Sequence, residues 1–274
     1  MKINGVFVDD IVAEQLERIK KDVEDNDKDW VGVYDGEEGS GKSVLAMQHA
    51  IVLDPKFNIN NVCFTADQFM ERLKTAPKGS CIMLDEAYSA ANARAALTEV
   101  NRAMIGVATE MRQRNLFVLF VLPTFFDLDK YFALWRCRTL FHCFYHKKTG
   151  NRGQYIIFPK TAKKMLFLLG KKFYNYSKPK SPYPTCRFLK YYVVDETEYR
   201  RKKAEAFKRR VVSGIAKKWK GQRDSLINEL YHNKEVLSAG FEKIFLKWGS
   251  KPLSQREIQR IVQNYGEEEV REDS

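Results

Sequence analysis

The sequence predicts an α/β protein with a mostly parallel central sheet flanked by helices, followed by a basic, mainly helical C-terminal extension. Three observations predict it. Short apolar runs bounded by turn residues, above all Cys81–Leu84 and Leu116–Leu122, have the pattern of strands buried on both faces. They alternate with segments of helical composition, the order that yields β-α-β units. A glycine-rich turn, GEEGSGKS at Gly36–Ser43, stands between the apolar run Trp30–Tyr34 and a helix-like segment, Gly41–Leu53.

In chain order, Ile3–Val8 reads as a short strand and Asp10–Val23 as a helix, closed by the acidic turn DNDKD. After the glycine-rich turn and its helix, Pro55 and NINN mark a loop. Val62–Phe64 reads as a short strand and Asp67–Lys74 as a helix. Asn92–Arg114 has helical composition, Pro123 stops the strand Leu116–Leu122, and Asp127–Trp135 reads as a helix. Thr139–Tyr145 and Gln154–Phe158 read as strands paired through the turn KKTGNRG. Three prolines exclude a regular core element from Lys171–Arg187, and Asp195–Trp219 resumes as a basic helix. Leu226–Trp248 and Ser254–Tyr265 read as shorter helices. The expected organisation is a core at 1–160, a basic, aromatic-rich extension and helix at 161–223, and a small helical tail at 224–274.

The glycine-rich turn fits G-x-x-x-x-G-K-[ST], the spacing of a phosphate-binding loop. Its glycines let the backbone turn through positive φ and bring N–H groups against phosphate oxygens. The following helix aims its positive end at the same anion. Gly36, Glu37, Glu38, Gly39, Ser40, Gly41, Lys42, Ser43 and Val44 are therefore the expected nucleotide-binding residues, with Lys42 on the β- and γ-phosphates and Ser43 Oγ on Mg²⁺. The second element is CIMLDEAY, in which four apolar residues deliver Asp85 and Glu86 to the carboxyl edge of the sheet, where ligands of open α/β sheets bind. Asp85 is expected to hold Mg²⁺ opposite Ser43, and Glu86 to act as general base on the attacking water. A plainer role for Glu86 is an acid in the first turn of a following helix. ATP and Mg²⁺ are the cofactors this pair of motifs implies.

NTPases that form rings complete their sites with an arginine from a neighbour. Arg112 and Arg114, at the end of the long helical segment, are the candidates, ahead of Arg102, Arg136 and Arg138. Cys137, His142, Cys143 and His146 do not have a usual zinc spacing and read as strand residues.

Five scattered cysteines point to reduced thiols rather than a disulfide framework. No apolar run reaches the length of a membrane span, and MKINGVFVDD has no signal-peptide apolar region, so a cytoplasmic protein is expected. The net charge of +12 is unevenly spread. Lys147–Arg223 holds 23 Lys and Arg against 4 acids, a net of +19, leaving −7 on the rest. Within it, YNYSKPKSPYPTCRFLKYY interleaves basic and aromatic residues as nucleic-acid surfaces do, so region 147–223 is expected to grip DNA. A solvated loop is the plainer alternative.

The segments GEEGSGKS, IMLDEAY, MRQRN and LFVLFVLPTFFDLDKYF together resemble the P-loop ATPases of the FtsK/HerA division, most of all its small viral, plasmid and zonula-occludens-toxin-type members. The resemblance covers roughly residues 28–145, with Arg112–Asn115 and Pro123–Asp129 matching the family's later segments. It implies a RecA-like core, assembly into a homo-oligomeric ring, ATP hydrolysis and pumping of nucleic acid, as in genome packaging or DNA transfer, with a portal or membrane channel as docking partner. By likeness to additional-strand ATPases, Thr124 would be a sensor touching the γ-phosphate or the attacking water; otherwise it starts a turn after Pro123. An ATP-switched replication or helicase-loader protein is the main alternative function. A small-molecule phosphotransferase fits the +19 region poorly, and a GTPase lacks the guanine-reading N-K-x-D segment.

Overall fold

The computed structural model describes residues 2–85, 108–146, 149–208, 223–224, 226–227, 254 and 256–261. The chain divides into two compact units, Met1–Ala206 and Phe207–Ser274. The first carries the whole sheet, and residues 161–206, expected as an extension beyond the core, belong to it.

Seven strands form the main sheet in the order β4-β5-β6-β3-β7-β8-β9. They are β3 (Trp30–Gly36), β4 (Val62–Cys63), β5 (Cys81–Asp85), β6 (Phe117–Val121), β7 (Thr139–Phe144), β8 (Gln154–Phe158) and β9 (Cys186–Arg187). The first five in chain order are parallel; β8 and β9 add antiparallel strands at one side. Every residue of β3, β5 and β6 is buried, which is why these segments read as continuous apolar runs. Their side chains alternate between two cores. Trp30, Tyr34, Phe117, Leu119 and Val121 face one, with the helices α1 (Asp10–Asp25) and α2 (Lys42–Leu53). Val31, Val33, Val118 and Phe120 face the other, with α3 (Ala66–Thr75), α4 (Ala108–Gln113) and α5 (Lys160–Gly170). The fold is thus mixed α/β, with a mostly parallel sheet between helical layers.

Several expectations need correction. Ile3–Val8 is not one strand but a tiny hairpin, β1 (Lys2–Ile3) and β2 (Val6–Phe7), because Asn4 and Gly5 both adopt positive φ, the turn that Asn-Gly favours. Asp127–Trp135 is not a regular helix. A 3₁₀ turn, Phe125–Asp127, is followed by a wide π turn, Phe132–Arg136, whose carbonyls at Ala133 and Leu134 accept from the buried ammonium of Lys163. Helix α5 has no counterpart in the sequence reading, and β9 pairs onto β8 from inside the proline-rich stretch. Of Asn92–Arg114, residues 108–114 lie among the described residues, and helix α4 ends at Gln113. Residues 196–208 form a further helix, α6. In the second unit, residues 256–261 are helical and Ser254 caps them reciprocally with Glu257.

On α2, His49 is buried, shares a 3.0 Å hydrogen bond with the Tyr34 hydroxyl, and packs against Phe141 and Tyr155. Burial pushes its imidazole down to a pKa of about 3. Between its ordinary pKa of about 6.5 and that value, the unfolded chain binds a proton there that the folded chain does not. Its contribution to stability is therefore complete above pH 6.5 and is lost at about 1.4 kcal/mol per pH unit as the pH falls. Urea unfolding of the protein and of His49→Gln at pH 7 and pH 5 should show their stability difference shrinking at the lower pH; an unchanged difference sinks this prediction.

Candidate active site

Parallel strands bring their carboxyl ends to one edge of a sheet, and here that edge gathers Gly36, Asp85 and the Pro123–Thr124 turn. The glycine-rich loop leaves β3 at Gly36, whose φ of +131 and backbone contact with β7 admit no side chain: a Cβ there would lie 1.9 Å from Cys143 O. Gly36 N–H donates to Pro123 O, which ties the loop to the end of β6. Gly41, at φ +99, is the N-cap of α2 and gives its first-turn N–H groups no side-chain acceptor. Those donors, the buried and unbonded Ser40 Oγ, and Lys42 form one cluster able to receive an anion. Lys42 Nζ is folded onto the carbonyls of Gly36 and Glu37, at 2.7 and 2.8 Å. At the loop's apex the Tyr145 hydroxyl donates to Glu38 O, and the exposed Arg152 guanidinium stands 3.5 Å from where a Gly39 Cβ would lie.

Asp85 is fully buried at the end of β5. Ser43 Oγ donates to its Oδ1 at 2.9 Å, so the two residues expected to share Mg²⁺ meet directly. The other oxygen, Oδ2, accepts from the Tyr199 hydroxyl, and Lys203 Nζ stands 3.4 Å from it. Tyr199 and Lys203 are one turn apart on α6 and so share a face. Burial, and then the Asp85 charge, push the Tyr199 phenol far up, so it remains a donor. The chain leading to α6 is fastened across the same edge. Phe188 packs over Gly41, where a Cβ would meet its ring at 2.7 Å, and Gln48 Nε2 donates to the carbonyls of Leu189 and Tyr191. Among the described residues no group of three His, Cys, Asp or Glu forms a metal site. A divalent cation at Ser43 and Asp85 would draw its remaining ligands from phosphate and water.

A second buried acid, Asp35, precedes the loop on β3. Its Oδ1 pairs with His142 Nδ1 at 2.8 Å, and its Oδ2 accepts from Phe125 N–H and the Tyr176 hydroxyl. Tyr176 stacks on His142 and shares a 2.9 Å hydrogen bond with Thr124 Oγ. Thr124 Oγ also accepts from Phe126 N–H, so the hydroxyl caps the 3₁₀ turn Phe125–Asp127. Glu86 lies outside the described residues, as do Lys147 and Lys148. His146 bonds Thr149 and Cys143 is buried in the core.

The two candidate arginines stand elsewhere. Arg112 Nε donates to Asp27 O, and Arg114 donates to the carbonyls of Leu73, Lys74 and Ala76. Both lie at the amino edge of the sheet, roughly 20 Å from the glycine-rich loop across the seven residues of β3. Arg114's fork is spent on the C-terminus of α3, where orphan carbonyls need donors. Within its own chain it clamps the end of α3. Arg136, likewise, pairs with Asp29 at 2.7 Å. Sequence reasoning missed Asp35, Tyr176, Tyr199, Lys203 and Arg152. Only Asp35 carried a signal, an acid ending an otherwise apolar strand.

Arg114→Ala should lower stability by about 1–3 kcal/mol, read by urea denaturation, because it strands carbonyls of α3. An unaltered stability with lost function would return Arg114 to a catalytic role.

No protein-family model matches the chain and no curated protein matches it, so the residues themselves carry what can be said of this site.

Proposed function

We propose that the chain is a Mg²⁺-dependent ATPase with a RecA-like core that moves nucleic acid, a ring-forming motor of the FtsK/HerA kind. The observation that carries this reading is the 2.9 Å contact of Ser43 with the buried Asp85 at the mouth of the glycine-rich loop. A hydroxyl at the start of α2 and a carboxylate at the end of β5 within hydrogen-bond reach of each other could share one cation, which supports the reading.

In this reading Lys42 exchanges the carbonyls of Gly36 and Glu37 for β- and γ-phosphate oxygens, keeping its charge compensated throughout. Ser43 and Asp85 would hold Mg²⁺, which supplies charge neutralisation on the phosphates. Glu86, next in sequence to Asp85, takes the proton of the attacking water. Arg152, at the loop apex, adds positive charge where the transferred phosphoryl group becomes more anionic.

Lys203 occupies the place of a cation beside Asp85 and Tyr199 occupies an acceptor lobe, so arrival of Mg-nucleotide displaces both. They sit on α6, which also carries the exposed Arg200 and Arg201. Nucleotide state is thereby coupled to a basic helix, and phosphate contacts of that kind are made and broken without reading sequence. The same coupling favours, as a second reading, an ATP-switched nucleic-acid-binding protein with slow turnover.

Steady-state ATP hydrolysis with and without double-stranded DNA separates the two. A motor should be stimulated several-fold by DNA, and Lys42→Ala and Glu86→Gln should each reduce turnover at least about a hundredfold. DNA-independent turnover that still needs Glu86 would remove the motor reading. Lys203→Ala should lower the Mg²⁺ concentration for half-maximal turnover about fivefold, the equivalent of an ion pair worth ~1 kcal/mol. A rise in that concentration would mean that Lys203 serves the phosphates instead.

A further inference from the structure

Helix α5 turns an unusual face outward. Lys163, Leu166, Phe167 and Gly170 are buried against the sheet. The opposite side presents Met165, Leu168 and Leu169, the two leucines 59% and 58% exposed. Phe173, 73% exposed, extends this surface beyond the helix, and Trp135, 57% exposed, joins it from the π turn through Lys164, whose ammonium lies 3.6 Å from the ring centroid. Soluble surfaces rarely gather exposed aliphatic and aromatic side chains in one place without an occupant.

The charges around the patch identify the occupant. Lys160, Lys164, Lys171 and Lys172 surround it, and the chain from Lys130 to Val194 has 15 Lys and Arg and no acid. The acids just before this stretch, Asp127 and Asp129, are engaged locally, one by the Tyr174 hydroxyl and the other by the Tyr131 N–H. A twofold contact with a second copy of the chain is disfavoured, since it would set the same lysines against one another. Nucleic acid would use the lysines but has nothing for outward-facing Leu and Met. An anionic lipid surface uses both: Leu, Phe and Trp enter the headgroup boundary, and lysines reach phosphates from its rim.

We propose that the outward face of α5, with Trp135 and Phe173, is a docking surface for an anionic membrane. The contact is peripheral, and it is consistent with there being, among the described residues, no helix long and apolar enough to cross a membrane. The ATPase reading is not needed for it.

The test is co-sedimentation of the full chain with vesicles of phosphatidylcholine alone and of phosphatidylcholine with about a third phosphatidylserine. Partition onto the anionic vesicles should be at least about tenfold stronger and should fall about fivefold for each of Lys171→Gln and Lys172→Gln. Leu168→Asp with Leu169→Asp should abolish it while leaving thermal unfolding and ATP turnover unchanged, since both side chains are exposed. Three results overturn the proposal. One is equal partition onto neutral and anionic vesicles. Another is vesicle binding indifferent to the double substitution. The third is a double variant that loses self-association or DNA binding, rather than vesicle binding, which would make the face a protein or nucleic-acid interface.

Discussion

A carboxylate with no exposure to water has to be compensated, and Asp85 sets that demand at the carboxyl edge of the sheet. Removing such a group from water costs several kcal/mol unless donors or a cation replace the lost hydration. Three residues from two elements far apart in sequence meet the demand: Ser43 from α2, and Tyr199 and Lys203 from α6. The strand that delivers the acid is buried on both faces, and α6 brings Tyr199 and Lys203 to its Oδ2. Much else in the fold serves to hold that cover in place, including the bonds from Gln48 to the Leu189 and Tyr191 carbonyls and the Phe188 ring on Gly41. The carboxylate thus fixes the packing of a segment over a hundred residues away.

Asp35 repeats the theme one strand over. It too is fully buried, and it too recruits a distant tyrosine, Tyr176. The His142 ring completes the set, stacked on that tyrosine. The two acids sit on β3 and β5, with β6 between them, and each is satisfied by a segment that follows the last parallel strand. The glycine-rich loop lies between two polar networks in which each carboxylate oxygen has a partner. A loop whose own backbone needs positive φ is held steady by its neighbours rather than by its sequence.

How much of this was legible in the sequence follows from the range of the interactions involved. The parallel strands were readable because burial on both faces leaves a continuous apolar run, and the glycine-rich loop because local backbone geometry dictates its residues. The meeting of Ser43 and Asp85 was likewise expected, from motif spacing. Tyr199 and Lys203 were not, since a tyrosine and a lysine one turn apart in a basic helix look the same whether they face water or a buried acid. Helix α5 was missed for a related reason. Leu168 and Leu169 face outward, so its apolar residues do not fall on one stripe and the usual periodicity is blurred. The clamp that Arg114 makes on the carbonyls of α3 was not legible, because such a clamp and a catalytic arginine share one signature in sequence.

Both margins of the main sheet are strands of only two residues, β4 on one side and β9 on the other. So short a strand offers almost no row of unpaired amides and carbonyls for another chain to extend. Among the described residues, then, the main sheet favours association through side-chain surfaces, with complementary shape and charge, over continuation of one sheet into the next. Association of that kind can be loosened and remade without disturbing the backbone ladder. It also spares a chain rich in buried β-structure from edge-to-edge polymerisation.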